Sequence, residues 1–322
     1  MMSLTFTGLP LTAATFALAS ALPLTLAAEV TVQTQQAALD EQGRPVLIEQ
    51  IQFLQDTGSA NRIVAADMLR TLSQEIPSSV CHLHNGADIA GSTALLTSGI
   101  AKFDAITDAL LHGNEDMGII GGEERRKTVI ELEDLIASWG PVREAAVAVL
   151  TDPADAAAAS TVYESTDVML GKTSHLLSEL EGMYANPVEL MQSDVMLLEV
   201  AGRQAMMTQR ISYEACRIWS GDGSNVLVEN LDRTAQQFTF AMNAMTNGMP
   251  EMGIIPPPTA DIAEQLALVG ADWAVVGDHL EAVKAGGDSA ELRADLFQRL
   301  NAKMHRMEHI AELYAALSKR GY

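Results

Sequence analysis

Leu197-Leu-Glu-Val-Ala-Gly-Arg-Gln-Ala-Met-Met-Thr-Gln-Arg-Ile-Ser-Tyr-Glu-Ala-Cys-Arg-Ile-Trp219 is the stretch on which the reading of this chain turns. It holds no proline and a single glycine, and Val200, Met207, Ile211 and Ile218 recur at helical spacing. Glu199, Arg203, Arg210, Glu214 and Arg217 fall on a second face. The stretch therefore reads as a long amphipathic helix, with one face that packs and another that offers cationic side chains.

The same pattern occurs twice. Subtracting 135 lays Ala201 on Ala66, Met207 on Leu72, Thr208 on Ser73, Gln209 on Gln74, Ile211 on Ile76 and Cys216 on Cys81. The shift then carries Phe238 to Phe103, Gly248 to Gly113, and Met252-Gly-Ile-Ile255 to Met117-Gly-Ile-Ile120. Ala-rich helical chains align with themselves at many offsets, but the paired cysteines and the shared Met-Gly-Ile-Ile favour internal duplication.

Ala201 to Arg210, Ala-Gly-Arg-Gln-Ala-Met-Met-Thr-Gln-Arg, resembles the Ala-Gly-Arg-Gln-Arg-Met-Leu-Ser-Gln-Arg signature of PilJ-type domains. These are the sensor domains of type IV pilus chemotaxis transducers and are related to NarX-like nitrate sensors. The resemblance implies an extracytoplasmic helical bundle that binds something and reports it. In NarX-like relatives the arginine implicated in anion binding stands at the fifth position of Ala-Gly-x-x-Arg. Arg70 matches that position in the first copy, where the second has Ala205; the second keeps the Gly202-Arg203-Gln204 that the first has lost. A symmetric two-arginine site is thereby excluded, and the first copy is the degenerate one.

Working outward, the pattern predicts a helix from Pro45 through Leu54, then Asn61–Ile76 ended or kinked by Pro77. Further helices are expected over Ile89–His112, Glu123–Leu150, and from an Asp152-Pro153 start to Tyr184. Asn186-Pro187 opens the second signature helix. Val226–Thr246, Thr259–Lys284 and Ser289–Leu317 follow, with Pro256-Pro-Pro258 as a stiff connector. The expectation is an all-α chain of two tandem four-helix bundles, residues 45–185 and 186–322, related by internal duplication.

The net charge of −22 repels phosphate backbones and anionic lipid, which excludes nucleic acid as a partner. Residues 4–28 are almost continuously apolar or small and end Leu26-Ala27-Ala28. A cleaved signal peptide over 1–28, followed by a polar extension over 29–44, is favoured by Pro10 and Pro23. One feature departs from that pattern, in that no basic residue precedes Arg44; a single membrane anchor is the competing reading, since about 20 apolar residues can span a bilayer. Periplasmic or secreted placement is expected, with a separate membrane receptor or kinase as partner.

No nucleophile elbow, zincin motif or phosphate loop is present, so a non-enzymatic role without a cofactor is expected. His305 and His309 lie one helical turn apart beside Glu308 and Glu312, the spacing of a helical metal site; Cys81, His82 and His84 form a second cluster. A metal- or haem-binding bundle is the alternative function. Cys81 and Cys216 occupy equivalent places and pair if the signature helices meet about a two-fold axis. In that arrangement Arg70 and Arg203, supported by Arg210 and the neutral donors Gln74, Gln204 and Gln209, face a shared cleft suited to a small oxyanion. The bland reading of the same arginines is a salt-bridged surface, with Glu199 four before Arg203 and Asp67 three before Arg70.

Overall fold

The computed structural model describes residues 38–39, 45–46, 58–184, 192–222 and 224–318. These fall into two units, one within residues 1–55 and the other within 56–322. In the first, β1 (Ala38–Leu39) and β2 (Pro45–Val46) pair antiparallel, Ala38 opposite Val46. The helix expected to start at Pro45 is therefore corrected there, because the proline opens an extended segment instead. The remainder of that helix, the signal segment and Asn186-Pro187 lie outside the described residues.

The second unit is all-α: α1 (Ser59–His84), α2 (Ile89–His112), α3 (Arg126–Thr151), α4 (Ala156–Tyr184), α5 (Gln192–Trp219), α6 (Asn225–Asn247), α7 (Ala260–Ala271), α8 (Trp273–Lys284) and α9 (Ala290–Ser318). In the first bundle α1 packs on α2 and α4, and α3 closes the ring. In the second α5 packs on α6 and α9, with α7 and α8 in the place of α3. Leu69, Phe103, Leu132 and Leu176 fill one interior; Phe238, Leu266, Leu300 and Ile310 fill the other. The fold is thus two four-helix bundles related by duplication, joined where α1 packs on α5.

The repeated Met-Gly-Ile-Ile marks a repeated loop. After α2 and after α6 the chain makes a short 3-10 turn closed by a bridge, Asn114 with Ile119 and Met249 with Ile254. Gly118 and Gly253 adopt φ of 65° and 73°, which only glycine reaches at no steric cost. Each turn drives its isoleucine, Ile119 or Ile254, into the core.

Three expectations are corrected, and the repeat carries one further difference. Pro77 lies inside α1 without ending it. Its missing N–H leaves the Ser73 carbonyl without its helical donor, and Gln74 Nε2 supplies one at 3.0 Å. The Asp152-Pro153 start is displaced to Ala156, with Asp155 Oδ1 accepting from Ala158 N at 2.9 Å. The helix expected over Thr259–Lys284 breaks at Asp272. There the buried Lys303 of α9 donates to the Val269 carbonyl at 3.0 Å and lies 3.5 Å from Asp272. Finally, the constant shift does not extend into the third helix. Trp139 stacks on Phe103 and Trp273 on Phe238, each with ring centroids 4.2 Å apart, so the two tryptophans are equivalent. Trp273 stands one residue nearer than the shift requires, and the second copy is one residue shorter between the loop and this helix.

The two signature helices run parallel and in register, so equivalent residues meet. Cys81 and Cys216 form a disulfide with Cα atoms 6.1 Å apart. Closing so long a loop is worth about 4–5 kcal/mol in the chain-entropy model. Two heptads before them, Asp67 meets its own equivalent, Gly202: a Cβ on Gly202 would fall on the Asp67 carboxylate. Gln74 and Gln209, both fully buried, stand midway between the two contacts in sequence. Within this seam Ser78 Oγ donates to Ser212 Oγ at 2.9 Å. One copy has kept the glycine, and the other fills the space with an acid. Gly202→Ala should therefore cost about 2 kcal/mol through overpacking. In an Asp67→Ala background chemical denaturation should show less than half that cost, whereas equal costs in both backgrounds would detach Gly202 from Asp67.

Candidate functional site

Near the start of the seam, side chains from both copies converge. Arg70 on α1 is buried, and its Nη2 pairs with Asp67 one turn earlier. Across the seam its Nη1 donates to Glu199 Oε1 at 3.2 Å and its Nη2 to the Glu199 carbonyl at 3.2 Å. Arg203, half exposed on α5, donates to the same Glu199 Oε1 from Nη2 at 2.7 Å and from Nε at 3.0 Å. One carboxylate oxygen is thus shared by an arginine from each copy. Beside this node a narrow pocket with room for about one water molecule is lined by Asp67, Glu181 and Glu199 against Val64, Leu177 and Leu198.

Burial dominates the titration of Asp67 and Glu181. It pushes Asp67 up to about 6, against the lowering effect of Arg70. Glu181 of α4 rises to about 7, by burial first and then by repulsion from Glu199. Burial opposes the charge on Arg70 as well, but Asp67 and Glu199 outweigh it and hold the guanidinium above its ordinary value. Two acids at the node, Asp67 and Glu181, therefore release their protons closer to neutrality than free carboxyls do.

One turn on, Glu75 is buried with no hydrogen bond to either carboxylate oxygen among the described atoms. Gly99 of α2 makes room for it, since a Cβ there would lie 3.1 Å from Glu75 Oε1. Burial pushes Glu75 up to about 7; Glu308 of α9 raises it further, while Lys102 and His305 lower it. His82, at the far end of the seam, lies 3.0 Å from Ser212 Oγ and packs on Phe297 and Trp219. Burial holds it down to about 3, so it is neutral at ordinary pH.

The structure brings Arg70 and Arg203 together and leaves the other expected residues apart from them. Arg210 pairs with Glu214 on its own helix at 3.0 Å and with Asp167 of α4 at 3.3 Å. Gln74 is engaged with the Ser73 carbonyl, and Gln209 Nε2 donates to Asn301 Oδ1 at 2.9 Å. Gln204 is fully buried, with neither amide atom hydrogen-bonded among the described residues. Sequence reasoning missed Glu75, Glu181 and the bridging role of Glu199. A signal for Glu75 was present, because the constant shift lays it on the signature arginine, Arg210.

The histidine pair does not gather a metal ligand set. His305 faces Glu308 at 3.2 Å and His309 faces Glu312 at 3.4 Å, each on its own turn. Cys81 is committed to the disulfide, His82 is buried, and His84 contacts the Pro153 carbonyl at 2.7 Å. Among the described residues, the group close enough to share an ion is Glu131, His175 and Glu179 on α3 and α4. Lys127 already lies against that group, paired with Glu179 and 3.9 Å from Glu131.

A family model described as PilJ, Type IV pili methyl-accepting chemotaxis transducer N-term, matches residues 51–164 and again 190–298. The two matched segments follow the two copies. No curated protein matches the chain.

The raised Glu75 value has a consequence for stability. The folded state favours the neutral acid, so ionising it penalises folding progressively as pH rises from about 4.5 to about 7. Glu75→Gln is expected to change stability little near pH 4.5 and to raise it by on the order of 2–3 kcal/mol at pH 8. Urea unfolding of both proteins at the two pH values measures this. A variant no more stable than wild type at pH 8 would mean that Glu75 carries no such penalty.

Proposed function

The chain belongs to the PilJ family of type IV pili methyl-accepting chemotaxis transducer N-terminal domains, and from that premise we propose an exported, non-enzymatic sensor that reads a small anion at the Arg70–Glu199–Arg203 node. The observation that carries the anion reading is the convergence of one arginine from each copy on a single carboxylate oxygen. The copies, residues 45–185 and 186–322, act as the two halves of one receptor held together by α1 and α5. Placement is periplasmic, with residues 1–28 as the export signal, and the output passes to a separate membrane receptor or kinase. Among the described residues no helix is long and apolar enough to cross a membrane.

Charge sets the condition for binding. With every group ionised, the two guanidiniums of Arg70 and Arg203 face three carboxylates, Asp67, Glu181 and Glu199, and an anion is repelled. Glu308 of α9 adds to the field at Asp67, with His305 at 3.2 Å as its own partner. Protonating Asp67 and Glu181, at about 6 and about 7, leaves two guanidiniums against one carboxylate. The Nη2 hydrogen of Arg70 that had faced Asp67 then offers, with Arg203, donors that suit an oxyanion.

Calorimetry with nitrate, sulfate and acetate at pH 5.5 and pH 8 tests this. Binding of at least one of the three should be about tenfold tighter at the lower pH, as expected where two carboxylates neutralise beside the site. Arg203→Ala, which alters only a half-exposed side chain, should abolish it, as should Arg70→Ala. Binding that ignores both substitutions, or no binding at either pH, would leave the node a structural salt-bridge cluster.

A further inference from the structure

The two bundles differ at one place in a way that opens a second site. In the first copy Trp139 Nε1 donates to Asp104 Oδ1 at 2.7 Å, and Arg143, one turn further along α3, donates Nε to Asp104 Oδ2 at 2.7 Å. The arginine thereby bridges α3 to α2. In the second copy the equivalent indole, Trp273 Nε1, donates to Thr239 Oγ1 at 2.9 Å. Thr239 stands where the first copy has Asp104, and Gly277, four residues after Trp273, stands where it has Arg143. Both members of the ion pair are absent together, and a Cβ on Gly277 would meet nothing within 4 Å.

What remains between α6 and α8 is a groove of about 410 Å³, open to solvent. Its volume is in the range of small-molecule sites. Trp273 and Phe240 present aromatic surface to it, with Ala235 and Leu280 between the helices; Phe240 is 53% exposed. The far end carries Lys284, which donates to Asp232 at 2.7 Å and to Glu281 at 2.6 Å. Two carboxylates there face one ammonium, in a chain of net charge −22. The local field and the aromatic faces both favour a positive ligand.

We propose that this groove binds an organic cation on a short alkyl stem, of the alkylguanidinium class, in the space that the Arg143 side chain occupies in the first copy. The stem lies along Gly277 and the cation meets the faces of Trp273 and Phe240. The site is separate from the Arg70–Arg203 node and does not depend on the anion reading.

The test uses the full chain and butylguanidinium as probe, followed through the indole N–H resonances of the three tryptophans, with Trp273→Phe assigning the relevant one. Millimolar butylguanidinium should shift the Trp273 signal and leave Trp139 unmoved, and uncharged butylurea should have at most a tenth of the effect. Gly277→Arg, which restores the missing side chain, should weaken binding at least tenfold while the Trp139 and Trp219 signals report an intact fold; Gly277→Ala should retain it. No shift with butylguanidinium, an equal shift with butylurea, or undiminished binding in Gly277→Arg would each overturn the proposal.

Discussion

Two parallel helices in register about a pseudo-two-fold axis must bring equivalent residues face to face, and most of this architecture follows from how those meetings are resolved. At Cys81 and Cys216 the meeting is a covalent bond. At Asp67 and Gly202 one partner is large and the other has no side chain, which is the way two backbones can approach this closely around a carboxylate. Asp67 in turn gives the buried Arg70 a counter-charge, and Arg70 reaches across the seam to Glu199. A guanidinium withdrawn from water requires such partners, because an unpaired buried charge costs several kcal/mol. The acid, the glycine and the arginine are one unit spread over two copies.

The interior around this unit is unusually rich in polar groups. Glu75, Gln204 and His82 are all buried within or beside the signature helices, where apolar residues would pack at lower cost. The two acids whose values rise to about 7, Glu75 and Glu181, sit on the sides of the same seam. A helix pair built on leucines alone would be more stable and indifferent to its ionic surroundings. This one is coupled to protons along its length, while His82 contributes no charge of its own at ordinary pH.

Much of the fold was legible in the sequence. The period of the apolar residues marked the helices, and Ile89–His112 was bounded correctly because Gly113 stops it. The repeat was legible because a loop glycine in the left-handed region and a buried isoleucine had to be kept in both copies. What escaped were features decided by partners distant in sequence. Pro77 reads as a helix terminator until Gln74 is seen to satisfy the freed carbonyl. The break at Asp272 depends on Lys303, which arrives from the last helix. The loss of one residue before Trp273 is invisible to a constant shift, and becomes plain once each tryptophan is seen on its phenylalanine. At the node, Arg70 and Arg203 could be named from the signature, but their common partner could not, because Glu199 looks like a local mate for Arg203 alone.

The Asp67–Gly202 contact also governs which helices are able to pair. A first signature helix set against another first helix would place two aspartates on one spot; a second against a second would leave an unfilled gap between two glycines. Only the mixed pairing has both the volume and the charge in balance, so association between like halves of separate chains is penalised from either side. The two duplicated helices, by differing at this one contact, are matched to each other rather than to copies of themselves.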